Sequence, residues 1–257
     1  MTLKGIEWKA QQLLVRCWDE VKAVLEAMSV PSPRPSSDGY EIFNVSYDDD
    51  APHALRVEIP GVVLQLPERY SATASNLFVH IRALIELDAA ALRSKRLQTS
   101  AFSTEVAYFR YSRAELKHVF GAHYDSEFAA VAHPVFHGQL KCYNERGAVV
   151  SELYSLGCES KSAIAGVLGN ARVPTSQLDF FSVIVQLCAD HLIDANADDT
   201  RRELFNRLRA LRRQLQGCGY AWPGFQQASS CMQAAYWYED VPPLAAASYS
   251  ISTSIGE

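Results

Sequence analysis

From Leu77 to Leu87 every second residue is apolar: Leu77, Val79, Ile81, Ala83, Ile85 and Leu87 hold one face for eleven residues. The alternate positions are mostly polar: Phe78, His80, Arg82, Leu84, Glu86 and Asp88. A period of two sustained this long specifies a β-strand with one buried face, because successive side chains of a strand point to opposite sides. A single such strand cannot bury its apolar side alone, so the chain must build a sheet around it and cover one surface of that sheet.

The neighbouring sequence supplies partners. Leu55, Val57 and Ile59 alternate with Arg56 and Glu58, Pro60-Gly61 is expected to turn the chain, and Val62 to Leu66 is expected to return. Phe102 to Tyr111 and Val135 to Tyr143 are rich in aromatic and β-branched residues and complete a meander of about five strands. No segment between them reads as a crossover helix, so the strands are expected to pair antiparallel. Both ends are helical. In residues 3–28, Trp8, Leu13, Leu14, Trp18, Val21, Leu25 and Met28 recur at three- and four-residue steps. Near the other end, Thr175 or Ser176 is expected to cap a helix carrying Phe180, Phe181, Ile184, Leu187, Cys188 and Leu192. A further helix spans roughly Asp199 to Gln216, with Leu204, Leu208, Leu211 and Leu215 on one side and Gly217 as its stop.

The expected fold class is therefore α+β: an N-terminal helix, a central curved antiparallel sheet, and C-terminal helices packed on one of its faces. The expected divisions are a helix in 1–29, a proline-rich linker in 30–39 (Pro31, Pro33 and Pro35 exclude helix there), an α+β core in 40–193, and a helix and tail in 194–257 packed on the core. The chain has 257 residues, 48% of them hydrophobic and 21% charged, an ordinary balance for a globular protein with a sizeable core. No apolar run approaches the length of a membrane span, and the charged N-terminal segment is unlike a signal peptide. Six scattered cysteines without a Cys-x-x-Cys pair read as reduced thiols, so a cytoplasmic setting is expected. The net charge of −5 argues against a surface coated for gripping duplex nucleic acid.

Chemistry-bearing residues concentrate in the middle of the chain. His133-Pro134-Val135-Phe136-His137 places two histidines at the head of a strand, on which His137, Gln139 and Lys141 share the more polar face. Upstream, Tyr108 and Arg110 share a face of another strand. Were those strands neighbours with polar faces aligned, His137 would serve as acid or base, His133 as a second proton carrier, Arg110 as the oxyanion holder, and Tyr108 in support. The same histidines could equally be polar-face residues with ordinary hydrogen bonds. A His-x-x-x-His step favours zinc on a helix but not on a strand interrupted by Pro134, so no metal and no cofactor is expected.

Tyr108-Phe109-Arg110-Tyr111, His133-Pro134-Val135-Phe136-His137, and Arg172-Val173-Pro174 followed by Asp179-Phe180-Phe181 together resemble the TumE-type proteins of bacterial toxin–antitoxin pairs and their uncharacterised relatives. The resemblance covers roughly residues 77–193. The chain departs from it where Gly138-Gln139 replaces a second His-hydrophobic-His step. It implies a toxin-like or antiviral-defence protein acting on nucleic acid.

The last helix adds a positive ridge. Arg201, Arg202, Arg207, Arg209, Arg212 and Arg213 face a single Glu203 within the same stretch, an arrangement suited to phosphates or to an acidic partner. Two functional expectations follow: a metal-independent ribonuclease that uses this helix to bind RNA, or a non-catalytic subunit that docks a partner protein, such as an antitoxin or another member of a defence complex. Neither involves a membrane.

Overall fold

The computed structural model describes residues 3–35, 41–47, 54–67, 76–88, 99–112, 115–126, 136–140, 173–174, 179–193 and 198–217. In chain order the elements are α1 (Leu3–Ala27), β1 (Arg34–Pro35), β2 (Asn44–Tyr47), β3 (Ala54–Pro67), β4 (Asn76–Asp88), β5 (Thr99–Ser112), β6 (Glu115–Ser126), β7 (Phe136–Leu140), β8 (Val173–Pro174), α2 (Phe180–Leu192) and α3 (Asp199–Gly217). The strands form one sheet in the order β1-β3-β4-β5-β6-β7-β8, with β2 also paired to β3, and every pairing is antiparallel. The five strands β3 to β7 are a meander, as the sequence pattern requires.

The composition of that meander differs from expectation in two places. Pro60-Gly61 does not turn the chain. It is a bulge inside one continuous strand, where the β3–β4 register steps from Ile59↔Ala83 to Val62↔Ile81. Pro60 has no N–H to give a ladder, and it sits where none is needed: β2 pairs with β3 up to Glu58, and β1 pairs only at Val62 and Val63. The extra residue also shifts the strand's parity. Leu55, Val57 and Ile59 before it, and Val62, Leu64 and Leu66 after it, all lie on the helix-covered inner face and are buried.

The second difference is β6, which carries His118 and His123 and was not expected as a strand. A bulge at Val119 breaks its alternation, because Tyr108 pairs with Phe120 while Phe109 pairs with His118. Val119 and Phe120 are exposed there.

The inner face of β3, β4 and β5 packs with α1, α2 and α3 into one apolar cluster. On α1 the buried stripe is Ile6, Ala10, Leu14, Trp18, Val21, Leu25 and Met28. Trp8, expected on that stripe, is 67% exposed, since 100° per residue places it about 140° from the middle of the stripe. Trp18 meets Phe180 at a ring-centroid distance of 5.6 Å and Phe43 at 6.5 Å, while Phe43 meets Phe180 at 6.1 Å. These edge-on and tilted contacts tie α1 to α2 over the sheet. The cap of α2 is Asp179 itself, whose carboxylate accepts from the backbone N–H of Phe181 (3.0 Å) and Ser182 (3.2 Å) and from the Ser182 hydroxyl. Thr175 and Ser176, expected in that role, lie outside the described residues. The Cys188 thiol is pushed by burial up to about 12, which leaves it inert at neutral pH.

The end of α1 has a left-handed residue that is not glycine. Ser29 has φ 62°, and the backbone closes with Val30 N–H to Leu25 C=O and Ser29 N–H to Glu26 C=O, both 2.9 Å. A Cβ in this conformation costs energy that glycine avoids. Ser29→Gly should raise unfolding free energy by about 0.5–1 kcal/mol, the usual scale of such backbone effects. Urea denaturation of the two proteins would check this, and a lower midpoint for the glycine variant would contradict it.

Candidate functional site

The expected catalytic residues do not converge. Residue 137 pairs with Asp125, which pairs in turn with Ser103. Arg110 lies seven residues farther along β5, about 23 Å at roughly 3.3 Å per residue, and β6 runs between the two strands. The row through Ser103 and Asp125 also belongs to the outer face of the sheet, whereas Tyr108 and Arg110 share the inner face with Val106 and Thr104. The sequence placed the two strands side by side because β6 went unrecognised. His133 lies outside the described residues.

Arg110 is exposed near the end of β5. Tyr108 packs its ring against Phe120 at 5.5 Å and against His191 of α2 at 6.4 Å. Burial raises its pKa far above the ordinary phenol value, and nearby Tyr124 and Asp190 push the same way. The hydroxyl therefore stays protonated and serves as a hydrogen-bonding group rather than a base.

The outer face has two halves. Toward Tyr111 it is largely apolar and buried, and Val63, Phe78, His80, Ala107, Phe109 and His118 all lie there. Phe78 and His80 were expected on a polar surface, so this half departs from the sequence reading. Phe109 and His118 meet edge-on at 5.5 Å.

The other half is charged and accessible. Cross-strand register sets out three rows: Arg56 with Glu86; Glu58 with Leu84, Ser103 and Asp125; and Arg82 with Glu105, His123 and Gln139. His123 is the pivot. Its Nε2 stands 2.8 Å from the Asp125 carboxylate and its Nδ1 3.8 Å from Glu105. Hydrogen bonding to Asp125 and then to Glu105 outweighs partial burial and raises the His123 pKa to about 9. At neutral pH the ring is an imidazolium with both nitrogens directed at carboxylates, an ion triad and not a ready proton acceptor. The sequence did not single out this group because its three members come from two strands, one of them β6. Among the described residues, no set of three His, Cys, Asp or Glu side chains is arranged to hold a metal ion.

On α3, the buried side is Leu208 and Leu211, with Leu204 and Phe205 partly buried. Asp198 caps the helix, accepting from the Arg201 N–H at 2.7 Å. Arg201, Arg202, Arg207 and Arg209 are exposed. Arg212 and Arg213 continue the helix, but their side chains lie outside the described residues. Comparison of the chain with protein-family models, with curated proteins and with solved structures returned no match.

The triad makes stability depend on pH in a defined direction. The folded-state pKa of His123 lies above the unfolded value near 6.5, so its contribution is complete below about 6.5 and is lost as pH rises through about 9. His123→Gln should therefore lower the melting temperature more at pH 6 than at pH 10. An NMR titration of the wild-type ring should give a midpoint near 9, and one near 6.5 would refute the ion triad.

Proposed function

We propose that the protein is a non-catalytic nucleic-acid-binding module whose helix α3 grips the phosphate backbone of single-stranded RNA. The observation that carries this reading is the exposure of Arg201, Arg202, Arg207 and Arg209 on a helix that Leu208 and Leu211 fix to the core. The helix holds six arginines against Asp199 and Glu203, although the chain as a whole carries −5. Helix stability does not account for the placement. Arg201 and Arg202 stand in the first turn, where the helix dipole disfavours cations by roughly 0.3–1 kcal/mol each. Guanidinium forks are suited to phosphate oxygens, and a flexible single strand can follow arginines that do not lie in one line along the helix.

The ribonuclease expectation has less to rest on, because positions 137 and 110, which it required side by side, are a strand and many residues apart in the sheet register. Docking of an acidic protein partner would use the same arginines, and the exposed apolar residues of α1, Trp8 and Val15, add little to it, since isolated exposed apolar side chains are ordinary.

Fluorescence anisotropy with a labelled single-stranded RNA tests the proposal. Four phosphate contacts should give a slope of about −3 for log affinity against log salt, at about 0.7 per contact for a single strand. Replacing Arg201, Arg202, Arg207 and Arg209 together by Gln should bring that slope close to zero with the circular dichroism spectrum unchanged. Wild-type binding that ignores salt, or a quadruple variant that binds as tightly, would overturn the reading.

A further inference from the structure

The bulge at Val119 redirects an aromatic side chain. In a regular strand Phe120 would share the face of His118, which is the outer one. The extra residue puts His118 opposite Phe109 and Phe120 opposite Tyr108, so Phe120 changes to the inner face. There its ring lies 5.5 Å from Tyr108 and at 59° to it, while the Tyr108 ring lies 6.4 Å from that of His191. Tyr108 and His191 are half-buried, whereas Phe120 is 37% exposed and Val119 beside it 41%. A phenyl ring with an aromatic backing thus faces solvent at the point where α2 ends.

Charge around this ring is divided. Arg110, exposed, follows Tyr108 on the inner face and pairs in register with Lys117. On the side of α2, Asp190 is exposed and accepts from the Gln186 amide at 3.3 Å. Burial raises the pKa of Tyr108 and Tyr124, and the nearby Asp190 carboxylate pushes both the same way. A phosphate is therefore drawn to the Arg110 margin and disfavoured beside Asp190, which leaves the ring to a neutral, flat group. Aromatic rings bordered by cations are how single-strand binders hold bases and backbone together. Helix α3 lies on the same side of the sheet and shares its apolar cluster. It begins at Asp199 and α2 ends at Leu192, so at most about 25 Å of extended chain separates the Arg201–Arg202 turn from the end of α2.

We infer that Phe120, backed by Tyr108 and bordered by Arg110, is the base-stacking platform for the strand whose phosphates α3 grips. The inference rests on the reading of α3 as a phosphate-binding helix and adds a requirement to the ligand: unpaired bases. Adenine is preferred over uracil, because the larger ring system covers more of the phenyl face. A duplex keeps its bases stacked inside and has no face to offer Phe120.

Fluorescence anisotropy on the full chain tests this, with labelled oligoadenylate and oligouridylate of equal length and inorganic polyphosphate as competitor. The wild type should bind oligoadenylate more tightly than oligouridylate. Phe120→Ala should weaken oligoadenylate binding roughly 5- to 150-fold, the range for one lost stacked base, with an unchanged salt slope and circular dichroism spectrum. Polyphosphate, which has no bases, should bind this variant as it binds the wild type, and Phe120→Tyr should keep most of the affinity for oligoadenylate. Equal affinity of Phe120→Ala and wild type for oligoadenylate, at a wild-type slope near −3, would overturn the platform and leave the α3 reading standing. A loss that extends equally to polyphosphate would also overturn it, since that marks a damaged fold. Wild-type affinity that ignores salt yet falls in Phe120→Ala would support the platform and remove the α3 reading. Failure of the wild type to bind either oligonucleotide would overturn both.

Discussion

One inserted residue in β3 decides whether both halves of that strand reach the core. Side chains on a strand alternate strictly, so a regular strand from Ala54 to Pro67 could not present Leu55, Val57 and Ile59 together with Val62, Leu64 and Leu66 on the same side. The bulge at Pro60-Gly61 makes this arrangement possible by letting β3 advance one residue relative to β4. The helices α1, α2 and α3 then meet a continuous apolar face, and the aromatic contacts among Trp18, Phe43 and Phe180 form where α1 and α2 come together over it. With the inner face fully committed to packing, polar residues are directed to the outer face and to the exposed side of α3.

That division of labour governs the chemistry. Tyr108 and Arg110 fall on the inner face, where burial holds the tyrosine protonated and the arginine emerges only at the strand's end. His123, Glu105 and Asp125 fall on the outer face and pair among themselves. The sheet thus keeps apart the groups that the sequence suggested as a catalytic set, and the outward-facing arginines that remain are suited to binding rather than bond breaking.

Regular periodicity made much of the fold legible. The alternation of Leu77 to Leu87 and the three- and four-residue steps of α1 and α3 each specify their element, and a meander follows when no crossover helix is present. What could not be read were the irregularities. Pro60-Gly61 resembles a turn because the same residues serve turns and bulges, and only the partner strand distinguishes them. Val119 interrupts the alternation of β6, so that strand was missed, and with it the register separating His137 from Arg110. The exposure of Arg202 and Arg209 on α3 agrees with their helical spacing, since their leucine neighbours settle which side is buried, whereas Arg201 shares the side of Leu208 and is exposed in the first turn. The His123 triad depends on a pairing between β5 and β6 that no local pattern encodes.

Among the described residues, both margins of the sheet are made of very short strands, β1 and β8 of two residues each and β2 of four, and both two-residue strands end in proline, Pro35 and Pro174. A proline has no amide hydrogen to offer an incoming chain, and so short a run gives that chain little to zip along. Growth of the sheet by adding foreign strands is accordingly discouraged at its flanks, which shields a molecule rich in β-structure from fibrillar self-assembly and leaves recognition to side chains.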